Sequence, residues 1–254
     1  MQSDQPLRLK NAPIVEAVLD IDCDMPPSFD AAKLEAAAHD KLRDLYPKVR
    51  QVFVQEHTLE AKPGTKPTMQ IRRGVQAVQF THDDEKQIVQ LRAQGYSFNR
   101  LTPYTTLDDY LPEIERTWRL FVGITKPVQI RAVRLRYINR IPLPFDGGKL
   151  DLDHYLKLAP HLPDEERMTF AGFLHQHVVV EKDTNNMATI VLATEQPEND
   201  RLPIIFDITA TRQARAEVED WAWIAGTIQS LRAFKNRIFK NTLTNQCLNL
   251  FQPL

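Results

Sequence analysis

The chain has 254 residues, enough for one large domain or two small ones, and either could bury a real core. Its formal net charge is -1, with 16 Lys+Arg against 18 Asp+Glu in residues 1–125 and 16 against 15 in residues 126–254, so neither half is basic enough for broad nucleic-acid binding by counterion release. Hydrophobic residues make up 43% and charged residues 26%, with only 8 glycines and 2 cysteines, Cys23 and Cys247; no GxGxxG, GxxxxGK(S/T) or GxSxG occurs, which disfavours the glycine-rich phosphate cradles and the α/β-hydrolase nucleophile elbow, and the cysteines disfavour a structural zinc site.

The opening residues, MQSDQPLRLK, lack the apolar core of a signal peptide. No apolar run reaches the roughly 20 residues needed to span a bilayer. The expectation is a cytoplasmic protein with no cofactor and no membrane contact.

The first strong element is APIVEAVLDIDCD. Val15, Ala17, Leu19, Ile21 and Cys23 alternate with Glu16, Val18, Asp20 and Asp22, which predicts a strand with one apolar and one acidic face. A helix over FDAAKLEAAAHDKLRDLY follows, capped by Ser28 or Asp30, with Leu34, Ala38, Leu42 and Leu45 as its buried stripe and Pro47 at its end. Three strand-like runs come next: VRQVFVQEHTLEA, TMQIRRGVQAVQF and IVQLRAQGYSFNRL, the last two joined by the polar tip THDDEKQ. A helix beginning near Thr106 presents Leu107, Leu111, Ile114, Trp118 and Phe121, with Pro112 tolerated in its early turns.

From Lys126–Pro127 the order is similar. Val128 to Ile141, with the arginine-rich RAVRLRYINRI, predicts a strand, and the short helical piece LDHYLKL follows a Gly147–Gly148 turn. The runs MTFAGFLHQHVVVEKD, MATIVLATE and PIIFDITATR, the first two separated by the tip TNN, precede a helix over about Glu217 to Lys240, with an apolar stripe at Val218, Trp221, Ile224, Ala225, Ile228, Leu231, Phe234 and Ile238. The expected fold is therefore α+β. Two related strand-helix-three strands-helix halves, 11–125 and 126–254, share a largely antiparallel sheet or barrel with helices packed outside. Thr125–Pro127 is too short to be a linker, so 1–254 reads as a single unit.

Four arginines crowd the strand at 131–140. Val133, Leu135 and Tyr137 share one face, with Arg131 on their side; Arg134, Arg136, Ile138 and Arg140 share the other. A solvated face with cross-strand ion pairs would explain them, with Asp20, Asp22 and Asp207 as partners. So would an anion site, because the planar guanidinium fork pairs two oxygens at once. His175 and His177 form an HxH pair that could hold a metal given a third ligand, and none is written nearby. Arg232, Lys235, Arg237 and Lys240 make the end of the last helix basic, where cations complement the helix macrodipole.

NAPIVEAV at 11–18, FNRLTPYTTLDDY at 98–110, RLRYINRI at 134–141 and FKNTLT at 239–244 resemble a sporadically distributed family of bacterial proteins of about this length. The resemblance runs over nearly the whole chain and carries neither an activity nor site residues with it. A patchy distribution implies accessory gene content, of a mobile or defence-related kind.

Two functions follow as expectations. One is a non-enzymatic accessory protein that binds a macromolecular partner or a small anion, with Arg134, Arg136 and Arg140 as the anion-binding candidates. The other is a metal-dependent enzyme acting on a phosphorylated or nucleotide substrate in a charged cavity. It would draw its cation ligands from Glu16, Asp20 and Asp22.

Overall fold

The computed structural model of the chain describes residues 9–60, 68–145, 150–164 and 166–253. The opening stretch 1–8 and the Gly147–Gly148 turn lie outside the described residues. Nine strands form one antiparallel sheet: β1 (Ile14–Asp24), β2 (Lys48–Glu60), β3 (Thr68–Thr81), β4 (Gln87–Arg92), β5 (Gly95–Leu101), β6 (Gln129–Pro144), β7 (Leu174–Val180), β8 (Met187–Thr194) and β9 (Arg201–Ala216). Their order is β2-β3-β4-β5-β1-β6-β9-β8-β7. The helices are α1 (Leu34–Leu42), α2 (Leu107–Thr125), α3 (Trp221–Thr242) and the short α4 (Asn245–Asn249).

The fold is thus α+β, and the sheet is open, with β2 and β7 as its edges; the barrel alternative does not hold. The repeated element order is not confirmed. The first part of the chain carries four strands after α1, and the second carries three after a 3-10 turn at Leu152–His154. The extra strand arises because IVQLRAQGYSFNRL folds as a tight hairpin, β4–β5, rather than as one strand. Gly95 makes that turn possible: its φ is 144°, and a Cβ there would meet the Ile21 carbonyl oxygen at 2.1 Å.

Alternation places the apolar face of each strand under the helices. Leu19, Ile21, Val78, Phe80, Val89, Leu91, Tyr96, Phe98, Val133 and Leu135 pack against Leu34, Ala38, Leu42, Ile114, Trp118, Phe121, Ile228 and Leu231. A second cluster joins Ile141, Leu143, Ile190, Phe206 and Ile208 to Phe239, Cys247 and Leu248. Val179 and Ile238 touch both clusters. Burial of this apolar surface, worth about 25 cal/mol per Å², is the dominant stabilising term.

Helix ends follow the sequence. Asp30 accepts from the Ala32 amide, Thr106 caps α2 by accepting from Asp108, and Asp220 caps α3 by accepting from Trp223. Pro112 sits in the second turn of α2, and Leu107, Ile114, Trp118 and Phe121 are buried beneath it. Leu45 departs from the expected stripe. The helix stops at Leu42, so Leu45 turns out at 47% exposure, and Tyr46 is buried in its place. The Tyr46 hydroxyl donates to Glu113 on α2 at 2.6 Å.

Candidate functional site

Among the described residues the helices pack on one face of the sheet, and the other face carries the charged rows. The register aligns Asp20 with Arg134 and Val18 with Arg136 across β1–β6. It aligns Ile138 with Asp207 and Arg136 with Thr209 across β6–β9. Opposite charges therefore sit directly or diagonally across neighbouring strands, within reach of an arginine.

The pairs form as that register requires. Arg134 donates to both oxygens of Asp22, at 2.6 and 2.9 Å, and lies 3.7 Å from Asp20. Arg92, on β4, donates to the same Asp22 at 2.8 Å. Arg136 forks onto Asp207 with contacts of 2.5 to 3.0 Å. Arg140 spans Glu195 at 2.6 Å and Glu198 at 2.5 Å. Burial alone would raise the Asp22 carboxyl, but the hydrogen bonds from Arg134 and Arg92 outweigh it and hold its pKa below the usual range. For Arg136 the bond to Asp207 comes first and keeps the guanidinium charged.

The amide side chains extend this arrangement. Gln79 donates to Gln90 at 3.1 Å, Gln90 to Asn99 at 2.8 Å, and Asn99 to Glu16 at 2.7 Å, while Ser97 donates to Asp20. Ser97, Asn99 and Asp22 are buried although no helix covers this face; the long side chains of their neighbours cover them. Further along, towards β7, the same face turns to Thr209, Thr211, Thr189, Val191 and Met187.

Arg131 does not join the Val133 face. The β1–β6 ladder slips between Asp22 and Cys23, which makes Arg131 the extra residue of a bulge. It lies instead 3.9 Å from Asp24 and contacts Gln94.

The enzyme alternative finds its carboxylates engaged. Glu16 accepts from Asn99, and Asp20 and Asp22 accept from Ser97, Arg92 and Arg134. Among the described residues no group of three or more His, Cys, Asp or Glu is placed to hold a metal ion. The rings of His175 and His177 on β7 have centroids 4.3 Å apart and are tilted by 58° to one another, and the His175 ring contacts the Leu158 carbonyl rather than a third ligand. A small apolar cavity of about 10 Å³, lined by Phe98, Tyr104, Tyr110, Leu135 and Tyr137 among others, has room for about one water. No helix among the described residues is long and apolar enough to cross a membrane.

A second cluster lies on the helix face. Lys235 of α3 is 8% exposed, and its ammonium sits 3.8 Å above the Tyr137 ring of β6. Among the described residues no carboxylate reaches it. The Tyr137 hydroxyl bonds that of Tyr104 at 2.7 Å, and Arg232, one turn earlier, donates from Nη1 to both oxygens of Asp108 at 2.8 and 2.9 Å. Burial, reinforced by the charge of Arg232, pushes the Lys235 ammonium down to about 7. Burial also pushes the Tyr137 phenol up to about 12. The sequence reading placed Lys235 in a basic helix end. Its spacing from Ile228 and Leu231 already put it on the buried stripe.

Comparison of the chain with protein-family models, with curated proteins and with solved structures finds no match.

Proposed function

We propose that the protein is a non-enzymatic accessory protein that holds a protein partner on the open face of its sheet. The observation that carries this reading is the state of the arginines. Arg134, Arg136 and Arg140 each have their donors on carboxylates of the same chain, so a small anion would have to displace an internal partner at each of them. A face neutralised at its centre and apolar at its flank has the make-up of an interface: desolvated, low in free charge, and rimmed by polar groups. The strand order in the sheet, though not the element order along the chain, is compatible with related halves, since β1 and β6 are central neighbours, flanked by β5 and β9 and then by β4 and β8.

A photo-crosslinking amino acid at Thr189 or Thr209, on the open face, tests this in the native host. One discrete protein adduct at these positions, absent from a probe at Arg119 on the exposed side of α2, is the expected result. Adducts at Arg119 alone, or none at the open face, would overturn the reading.

One observation favours a small anion bound elsewhere. Lys235 is a buried amine that no carboxylate reaches among the described residues, over the ring of Tyr137, whose hydroxyl bonds that of Tyr104. Calorimetric titration with inorganic phosphate, on the native chain and on Lys235→Met, tests that reading: heat that disappears in the variant supports it, and no heat in either removes it.

A further inference from the structure

The two edges of the sheet are built differently. At β2, Lys48 and Arg50 are exposed, and the β2–β3 ladder slips between Val52 and Phe53. Charges and bulges of this kind blunt an edge against further pairing. Strand β7, LHQHVVV, has none of them: no Lys, Arg, Asp, Glu or Pro, and no break in its ladder with β8. Leu174, Val178 and Val180 are exposed at 74%, 60% and 59%.

The backbone groups at this edge can be placed by parity. Thr194 donates to the Phe173 carbonyl at one end of the β7–β8 ladder, and Glu181 donates to the Asn186 carbonyl at the other. The register is unbroken between them, so the odd-numbered residues of β7 bond to β8. The N–H and C=O groups of Leu174, Gln176, Val178 and Val180 therefore point away from the sheet. Among the described residues no backbone hydrogen bond reaches them from another segment.

We infer that β7 is the interface with a second copy of this chain, paired antiparallel about a two-fold axis at His177. That register opposes Leu174 to Val180 of the second copy, and Gln176 to its Val178. All of these are even-numbered positions, so outward donors meet outward acceptors along the whole strand. A register shifted by one residue would set even against odd and leave them unmatched. The charge pattern agrees, because a strand without Lys, Arg, Asp or Glu brings none of these like charges together. On the open face the exposed Leu174, Val178, Val180 and Met187 become one apolar strip across the axis. On the helix face His177 meets its own counterpart. Its Nε2 is a buried ring nitrogen without a partner in the single chain, and the pairing brings a second imidazole to it. The result is one continuous sheet with both open faces on the same side.

Four variants test this. Gln176→Pro removes an outward N–H without touching the β7–β8 ladder, which an edge strand tolerates; Val178→Lys sets a charge at the edge as a second variant should the first fail to fold. Sedimentation at micromolar concentration should show a dimer for the native chain and at least tenfold weaker association for either variant, with melting lowered only by the concentration-dependent part that dimerisation contributes. His177→Cys should give a disulfide-linked dimer on mild oxidation, because directly opposed residues of a non-hydrogen-bonded pair lie within disulfide reach. Val178→Cys, whose counterpart is diagonal, should cross-link at least tenfold more slowly. The native cysteines, Cys23 and Cys247, are buried and do not compete. A monomeric native chain, a folded edge variant that stays dimeric, or faster linkage at 178 than at 177 would each overturn the inference.

Discussion

Strand β6 carries a cationic environment on each of its faces, and the two are handled in opposite ways. On the open face Arg134 and Arg136 are fixed to Asp22 and Asp207 by bidentate contacts. On the helix face Lys235 lies over Tyr137 with an aromatic ring where a carboxylate would be expected. The first face keeps its charges because each is returned an opposite charge at hydrogen-bond distance. The second suppresses its charge, because desolvation is not offset. What a buried cation costs is set by its partner more than by its depth.

The largest effect should come from removing the shared carboxylate. Asp22→Ala leaves Arg92 and Arg134 partly buried without their main acceptor, and should destabilise the fold by about 3–5 kcal/mol in denaturant unfolding. A loss below about 1 kcal/mol would show that this pair behaves as an ordinary surface pair.

The opposite sign is expected on the other face. Lys235→Met removes a poorly compensated charge and a cation–π contact, and should stabilise the protein by about 3 kcal/mol at pH 6. In the unfolded chain this lysine keeps its proton to about pH 10.4, whereas in the folded chain it releases it near 7. Between those values the unfolded state binds more protons, so stability rises with pH across that window, while below pH 7 the penalty is present in full. The native chain should therefore gain on the variant as pH increases from 7 to 10, read from paired melts. A constant difference over that range would mean that Lys235 stays charged.

A smaller effect sharpens the comparison within the open face. Arg136→Glu should cost about 2 kcal/mol, and adding Asp207→Arg should recover at least half of it, measured as a double-mutant cycle. Absence of recovery would show that the site's geometry, and not the charge pairing, holds the strand. The smallest effect should be at Arg140, whose partners Glu195 and Glu198 are well exposed. Arg140→Ala should change stability by less than about 1 kcal/mol, and less still at high salt.

The sequence made some of this legible and hid the rest for definable reasons. Period-two alternation placed Asp20, Asp22, Arg134 and Arg136 on one face correctly, because that face is fixed by burial of the other. Asp207 was identifiable as a partner for the same reason. Arg92, Glu195 and Glu198 were missed, since which strands become neighbours depends on sheet order, and alternation carries no information about that. The β4–β5 turn was written in the sequence as AQG, but an apolar run on both sides disguised it. The bulge at Arg131 left no mark, because a single extra residue in an apolar–basic alternation looks like a phase shift near the strand end. Lys235 was misplaced because a lysine at the end of a helix has an adequate explanation as a macrodipole partner, even though helical spacing pointed it inward.

The central pairing of β1 with β6 also sets a timetable. β1 ends at Asp24, and β6 does not begin until Gln129. During synthesis β5 can close on one side of β1 early, while the other side, with its row of unpaired amides and carbonyls, waits for β6. At roughly 5–20 residues per second, translation leaves that edge uncovered for several seconds after β5 emerges. The nascent chain thus carries a temporary strand edge at what will become the middle of its sheet. A stall anywhere between Leu101 and Gln129 would lengthen the interval in which another nascent chain could occupy the place reserved for the arginine strand.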